Sequence, residues 1–424
     1  MTGKGGSMAI SYADRSTPRP AARTVARGAD VAPARRAATV GSRPAVATDL
    51  RIALFSGNYN YVRDGANQAL NRLVAHLLAQ GIAVRVYSPT TASPAFAPAG
   101  DLVSAPSFAF PGGRGEYRMP VGLSPAVKRD LAAFAPNIVH VSSPDPLGHA
   151  AIRWARRHGV KVVASQHTRF ETYPRYYRMG FLARPLEWMQ TRFYNRADRV
   201  LAPGEPIAAM LRDWGVTTPI DQWVRGTDHV RFNPGRRSVA WRESLGIGPD
   251  DFTVGFLGRL VLEKGLDIFA EVAIELTRRG VPHKVLVIGD GPARDWFADH
   301  VPGAVFAGFQ SGDALGRAVA SLDVFFNPSV TESFSNVALE AMAAGVPVVG
   351  ADAIGQIGIV IPGKTGFLVP PRSVTAYADA IEQLAHDPAL HARMGAAGHA
   401  AALGYEWPRV NDAVIAAYLA TLAG

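Results

Sequence analysis

The 424-residue sequence contains no cysteine, which excludes a disulfide frame, a thiolate metal site and a cysteine nucleophile, and fits a reducing compartment. Charge is sparse, at 19% of positions, while 48% are apolar, so the chain is not disordered throughout and is long enough for two packed domains. No segment reaches the ~18 uninterrupted apolar residues of a membrane span, and the apolar end from Ala413 to Gly424 is too short. What the sequence does have is an excess of basic residues, a formal net charge of +9. Such an excess suits nucleic acid, an anionic membrane or an acidic substrate.

That charge is unevenly spread. Residues 1–48 hold eight basic residues against two acidic, residues 49–237 hold 24 against 13, and residues 238–424 hold 12 against 20. The first segment, rich in Ala, Arg, Pro, Gly and Ser, has no hydrophobic period and reads as a disordered basic tail. An Arg-rich, acid-poor leader also suits an organelle transit peptide, but no amphipathic helix is evident, and a solvated tail is preferred. From Arg51 onward, short β-branched runs alternate with longer helical stretches, as in Arg51–Phe55, Gly65–Gln80 and Ile82–Tyr87. The cycle restarts at Phe252–Leu257, followed by a helix from Lys264 to Arg279 and the strand Lys284–Ile288. This is an α/β pattern of two Rossmann-like domains facing across a cleft, 49–237 and 238–404. The final helix, within 405–424, is free to belong to either domain, including by crossing back to the first.

Two segments carry the chemistry. In Thr331-Glu332-Ser333-Phe334-Ser335-Asn336-Val337, a strand ends and a helix begins. Glu332 therefore lies where ligands bind in open α/β sheets, and the amides of Ser335, Asn336 and Val337 lie at a helix N-terminus suited to phosphate. Glu340, eight residues on and inside the helix, serves a different part of an extended ligand, which argues against a shared-proton hydrolase pair. In Gly258-Arg259-Leu260-Val261-Leu262-Glu263-Lys264-Gly265, two cations sit at a helix N-terminus, where the dipole is already positive, so an anion between them resolves the conflict. A solvated pairing of Lys264 with Glu263 or Asp267 is the plain alternative.

Together with Ala341-Met342-Ala343-Ala344-Gly345-Val346-Pro347 and Ile288-Gly289-Asp290-Gly291-Pro292, these segments resemble the retaining glycosyltransferases of family 4, with the GT-B fold, over about residues 51–422. The resemblance implies a nucleoside diphosphate sugar as donor. Arg259 and Lys264 would hold its diphosphate, Glu332 its sugar hydroxyls and Glu340 its ribose, with Gly289 also in the donor site. It further implies a histidine near the anomeric centre, matched by His167 in Val162-Val163-Ala164-Ser165-Gln166-His167, and a glycine approaching the phosphate, matched by Gly65 without the usual second glycine. A hydrogen-bonded structural histidine and a helix-capping glycine are the alternatives there. Ile354, Gly355 and Gly358 stand where the family often has two glycines and an acid, which clouds donor preference. The chain has no Asp-x-Asp, so no metal is expected and no cofactor beyond the donor. Gly358-Ile359-Val360-Ile361-Pro362-Gly363-Lys364-Thr365 fits the nucleotide phosphate-loop pattern, but an extended, proline-ended stretch follows it instead of a helix, and that reading is rejected.

Between Arg169 and Arg199, seven arginines interleave with eight aromatics and three acids. This suits a lipid headgroup boundary or single-stranded nucleic acid, or else a core of aromatics under solvated arginines. His167-Thr168 with Tyr173, Tyr176, Tyr177 and Arg184-Pro185 is similar to the branch of the family that glycosylates diacylglycerol, by sulfoquinovosyl or mannosyl transfer. Arg169, Tyr173, Arg175, Tyr176, Tyr177 and Arg178 are thus expected at the acceptor or membrane. The expectation is a lipid acceptor, or otherwise a glycan, at the cytoplasmic face of an anionic membrane, with no nucleic acid bound. A nucleotide-sugar epimerase and a non-catalytic anionic-surface binder are the alternatives of other classes.

Overall fold

The structure, a computed structural model, describes residues 49–62, 64–109, 117–172 and 179–424. The basic segment 1–48 and Tyr173, Arg175, Tyr176, Tyr177 and Arg178 lie outside the described residues.

The first sheet is built from β1 (Arg51–Phe55), β2 (Ala83–Ser88), β3 (Asp101–Ser104), β6 (Ile138–Val141), β7 (Lys161–Ser165), β8 (Arg199–Ala202) and β9 (Ile220–Gln222), while β4 (Ser107–Ala109) and β5 (Arg118–Pro120) form a separate hairpin. The second contains β10 (Thr253–Leu257), β11 (Lys284–Ile288), β12 (Val305–Gly308), β13 (Val324–Asn327), β14 (Val348–Ala351) and β15 (Gly366–Val369). Seven helices shape the cleft and the outer face of the first sheet: α1 (Gly65–Ala79), α2 (Pro125–Phe134), α3 (Pro146–Arg157), α4 (Ala183–Tyr194), α5 (Leu266–Arg278), α6 (Asn336–Ala343) and α7 (Trp407–Ala423).

Both main sheets are parallel, in the orders β3-β2-β1-β6-β7-β8-β9 and β12-β11-β10-β13-β14-β15. The central strands are buried along nearly their whole length because helices cover both faces, as in β6, where all four residues are buried. The helices between them follow from local signals. Asp64 caps α1 by accepting from the Asn67 amide at 2.8 Å. Leu70, Leu73, Val74 and Leu77 then line its buried face, and Gly81 at φ +78° ends it.

In each sheet the winding direction reverses at one strand. β1 lies between β2 and β6, and β10 lies between β11 and β13. Ligand crevices in such sheets open at the carboxyl ends of the strands at that reversal, so the loops after β1, β6, β10 and β13 are the ones to inspect.

The chain crosses between the sheets twice. It leaves the first after β9, and α7 returns to pack against β7, β8 and α1, with Val414, Ala417 and Tyr418 among the buried residues of that face. The final helix thus crosses back to the first sheet. The crossings touch: the Thr227 amide donates to the Tyr405 carbonyl at 2.7 Å, Thr227 bridges Glu406, and a Cβ on Gly226 would lie 2.8 Å from the Trp407 ring. After the Gly358–Thr365 stretch comes β15, so the phosphate-loop pattern leads into a strand, as its sequence context implies.

Candidate active site

β10 runs into Gly258 and Arg259, and β11 into Gly289. The two glycines lie back to back at φ +147° and +137°, the Gly258 amide donates to the Ile288 carbonyl at 3.0 Å, and a Cβ on Gly289 would collide with the Gly258 carbonyl oxygen. Gly289 therefore lets the Arg259 loop cross directly over the end of β11. Arg259 is exposed on that loop. The helix expected from Lys264 is broken: Leu262–Lys264 form a separate 3₁₀ turn, Gly265 is left-handed at φ +77°, and α5 starts only at Leu266. Lys264 is thereby turned away from the helix and toward β13, where its Nζ donates to Glu332 Oε1 at 2.8 Å.

Glu332 follows β13 and is only 10% exposed. Asn327, the last residue of β13, holds Nδ2 3.4 Å from Glu332 Oε2 and donates to Ser335 Oγ at 3.0 Å. Gln356 fixes the strand end by donating to the carbonyls of Asn327 at 2.9 Å and Ser329 at 3.3 Å. Burial pushes the Glu332 carboxyl up, but the Lys264 charge and hydrogen bond, with those from Ser335 and Asn327, outweigh it and hold the group below the usual carboxylate range. It is an ionised acceptor, poised to receive hydroxyl donors. Ser335 caps α6, its Oγ accepting from the Ala338 amide. Its own amide donates to the Gly355 carbonyl at 2.8 Å and that of Asn336 to the Phe334 carbonyl at 3.2 Å. The turn at Ser335, Asn336 and Val337 thus offers a ligand fewer than the three amides expected of it. Gly355 is explained as well, because a Cβ there would press 2.7 Å from the backbone of Glu332.

α6 then carries Asn336 and Glu340 to a small cavity that Gly65 and Arg72 of α1 line from the first sheet, with Asp228 and Trp407 of the two crossings. Gly65 and Asn336 face each other so closely that a Cβ on Gly65 would stand 2.5 Å from Asn336 Nδ2. Burial raises the Glu340 carboxyl to about 7 against the opposing pull of Arg72 and Arg231. The Arg72 guanidinium lies 4.7 Å over the Trp407 ring.

His167 follows β7. Its Nδ1 is 2.9 Å from Arg225 Nη2 and its Nε2 is 2.7 Å from Ser165 Oγ. A guanidinium only donates, so Nδ1 must be the acceptor and Nε2 carries the hydrogen. The direction then propagates. Ser165 donates to His140 Nε2 at 2.7 Å, and His140 Nδ1 donates to the Tyr418 oxygen on α7 at 2.6 Å. Burial, Arg225 and His140 push His167 well below its ordinary value, and burial takes His140 to about 3. Both are neutral, and both nitrogens of each ring are engaged. Beside this chain, Gln166 Nε2 reaches Ser333 Oγ across the two sheets at 3.4 Å.

Arg169, expected at the acceptor or membrane, is largely buried. Its Nε pairs with buried Glu171 at 2.8 Å, its Nη1 lies 3.4 Å from the Val330 carbonyl, and its side chain is 15% exposed. It ties the first domain to the loop before Glu332. The fold therefore brings Lys264 to Glu332, and Gly65 to Asn336 and Glu340, with His167 on the facing domain. Sequence reading misses Asn327, Gln356, Arg72 and Arg225, which lack motif spacing; a polar residue ending a buried strand, as Asn327 does, is the one usable signal.

Residues 63–231 match the family described as Glycosyltransferase Family 4, and residues 251–387 that described as Glycosyl transferases group 1. A GDP-mannose-dependent alpha-mannosyltransferase of Mycolicibacterium smegmatis is 33% identical over 383 residues, 88% of this chain and 98% of the relative. The chain belongs to glycosyltransferase family 4. This glycosyltransferase is also 36% identical to the sulfoquinovosyl transferase of Arabidopsis thaliana over 297 residues, 68% of this chain and 57% of that one. Its fold matches sucrose-phosphate synthase from Thermosynechococcus elongatus at a TM-score of 0.70 and 20% identity, over 88% and 99% of the two chains, which is the GT-B arrangement.

Proposed function

We propose that this glycosyltransferase moves a hexosyl group from a nucleoside diphosphate sugar to a membrane lipid at the inner membrane face, with retention at the anomeric carbon. Residues 49–237 serve as the acceptor domain, 238–404 as the donor domain, and 405–424 return to the first. The observation that carries the reading is the buried, ionised Glu332 held by Lys264 at the strand-order reversal of the second sheet. Glu332 takes the sugar hydroxyls as donors, Arg259 and Lys264 neutralise the diphosphate, and Glu340 accepts from the ribose.

His167 is a poor proton acceptor, because both its ring nitrogens are engaged and Arg225 disfavours a second charge. The acceptor proton therefore goes to the leaving diphosphate. The bond from C1 to the diphosphate oxygen breaks, the acceptor oxygen bonds C1 from the same face, and its proton passes to that phosphate oxygen. With Arg259 and Lys264 carrying the diphosphate charge, activity should persist in excess chelator; complete loss restored by magnesium or manganese would overturn this part. The name of the GDP-mannose-dependent mannosyltransferase above supports the donor class.

The test has two stages. A panel of UDP- and GDP-sugars is screened for thermal stabilisation. The stabilising donor is then incubated with diacylglycerol micelles or with soluble glycans, and the anomeric configuration of the product is read by NMR. Stabilisation followed by transfer to lipid with the donor's configuration is expected. Stabilisation with transfer only to glycans overturns the lipid acceptor, an inverted product overturns retention, and epimerised donor without transfer overturns the class.

A further inference from the structure

Away from the cleft, α2, α3 and residues 121–123 line an open groove of about 520 Å³. One turn of α2 and two turns of α3 supply most of its walls. Lys128, Arg129 and Ala132 of α2 face Ala150, Arg153, Trp154 and Arg157 of α3, both sets at helical spacing. The two alanines leave room between the helices, and Trp154, stacked on His158 at 4.2 Å, closes one side. All four cations of these walls are exposed, and among the described residues none has a carboxylate within 4 Å. Arg156 and Arg157 occupy the last turn of α3, where cations offset the helix dipole. That accounts for neither Arg153 nor the pair on α2.

The charge continues onto the neighbouring helix. α4 packs beside α3 through the His149 and Phe193 rings, 5.0 Å apart. Arg184, Trp188, Arg192 and Arg196 recur at four-residue intervals along and just past α4, Trp188 is 66% exposed, and the Arg192 guanidinium lies 5.7 Å from the Trp188 ring. Arg196 feels the charges of Arg153, Arg156 and Arg192. Like charges gathered without counter-ions repel one another, and a multiply anionic surface relieves that repulsion. An exposed tryptophan among arginine stems adds the apolar contact of a headgroup boundary.

We propose that the groove between α2 and α3 binds the phosphate headgroup of an anionic phospholipid, with the arginine and tryptophan row of α4 lying on the same leaflet. This fixes how the first domain rests on the membrane. It deepens the membrane part of the reading above and rests on that part alone, because the groove shares no residue with the donor site.

The experiment is vesicle flotation of the full chain with phosphatidylcholine alone and with 30% phosphatidylglycerol. Each cation near an anionic leaflet strengthens binding by about fivefold, so Arg153→Gln/Arg157→Gln should weaken binding to the anionic vesicles by about 30-fold, and Lys128→Gln/Arg129→Gln by a similar factor. Arg393→Gln, an exposed arginine of the other domain, should leave it unchanged. Donor-induced thermal stabilisation should persist in every variant, which separates failure of the groove from failure of the glycosyltransferase reading. Wild-type binding by both double variants, or equal binding to neutral vesicles, overturns the proposal. So does wild-type chain that ignores vesicles yet is stabilised by millimolar inorganic phosphate through the same four residues, which would make the source a soluble phosphate. Tighter binding to an oligonucleotide than to anionic vesicles overturns it as well.

Discussion

Replacing Lys264 with methionine keeps the side-chain stem and removes the charge that faces Glu332. The ammonium is 2.8 Å from Oε1, Glu332 is 10% exposed and Lys264 32%. Unit charges about 4 Å apart at an effective dielectric of about 20 interact by about 4 kcal/mol. A lysine one-third exposed loses half or more of that to solvent screening and side-chain entropy, leaving a coupling of about 1–2 kcal/mol. The double-mutant cycle of Lys264→Met and Glu332→Gln, followed by urea unfolding, measures it directly. Because the folded carboxyl is held below its ordinary value, this stabilisation is present above the unfolded pKa near 4.3 and is lost as pH falls through the folded value. The coupling should therefore be full at pH 7 and shrink below about pH 4. Each single variant should also lower turnover by ~10²–10³. A coupling under about 0.3 kcal/mol at pH 7, or one that does not change into acid, refutes the electrostatic account. Near-normal turnover in both variants refutes the site.

Glu340→Gln tests the opposite sign. Its folded carboxyl is raised to about 7, so its contribution is most favourable below the unfolded value and is lost as pH climbs to 7. The variant should come close to wild type near pH 4.5 and exceed it by about 3 kcal/mol at pH 8, while binding nucleotide more weakly; thermal unfolding at the two pH values reads this. Gly289→Ala places a Cβ against the Gly258 carbonyl in a backbone conformation that L side chains rarely adopt, and should cost about 2–3 kcal/mol in denaturant titration. ¹⁵N NMR of the His167 ring should report the neutral Nε2–H tautomer from pH 5 to 9, and Arg225→Met, which removes the donor to Nδ1 but not the burial, should let the Nδ1–H tautomer populate; titration already in the wild-type protein would contradict the relay.

Much of this is legible in the residues. β1, β10 and β11 stand where β-branched runs predict strands, and the loops carrying Arg259 and Glu332 lie at carboxyl ends because parallel sheets put them there. Local spacing puts Glu340 inside α6 but cannot foresee its neighbours: Arg72 approaches from another sheet, and no periodicity links positions 72 and 340. The pattern predicts the onset of α5 two residues early, because Gly265 adopts a left-handed conformation that breaks the helix after Lys264, and this redirects the lysine to Glu332. His167 stands at its strand end as the pattern implies, yet its protonation state depends on Arg225, 58 residues later in the chain, through a contact that only folding creates. Arg169 reads as a surface cation, but its charge is matched by Glu171, two residues on, in the same buried turn.

The lacing of Thr227 to Tyr405 and Glu406 has a mechanical consequence. Two crossings far apart would let the domains slide past each other, whereas two joined by a 2.7 Å hydrogen bond, with Gly226 flush against Trp407, act as a single pivot. Any widening of the cleft becomes a swing about that point, small at Glu340 beside it and larger for groups farther along the opening. On the proposed donor orientation, the ribose end keeps its seat through the swing while the groups at the far end separate and meet.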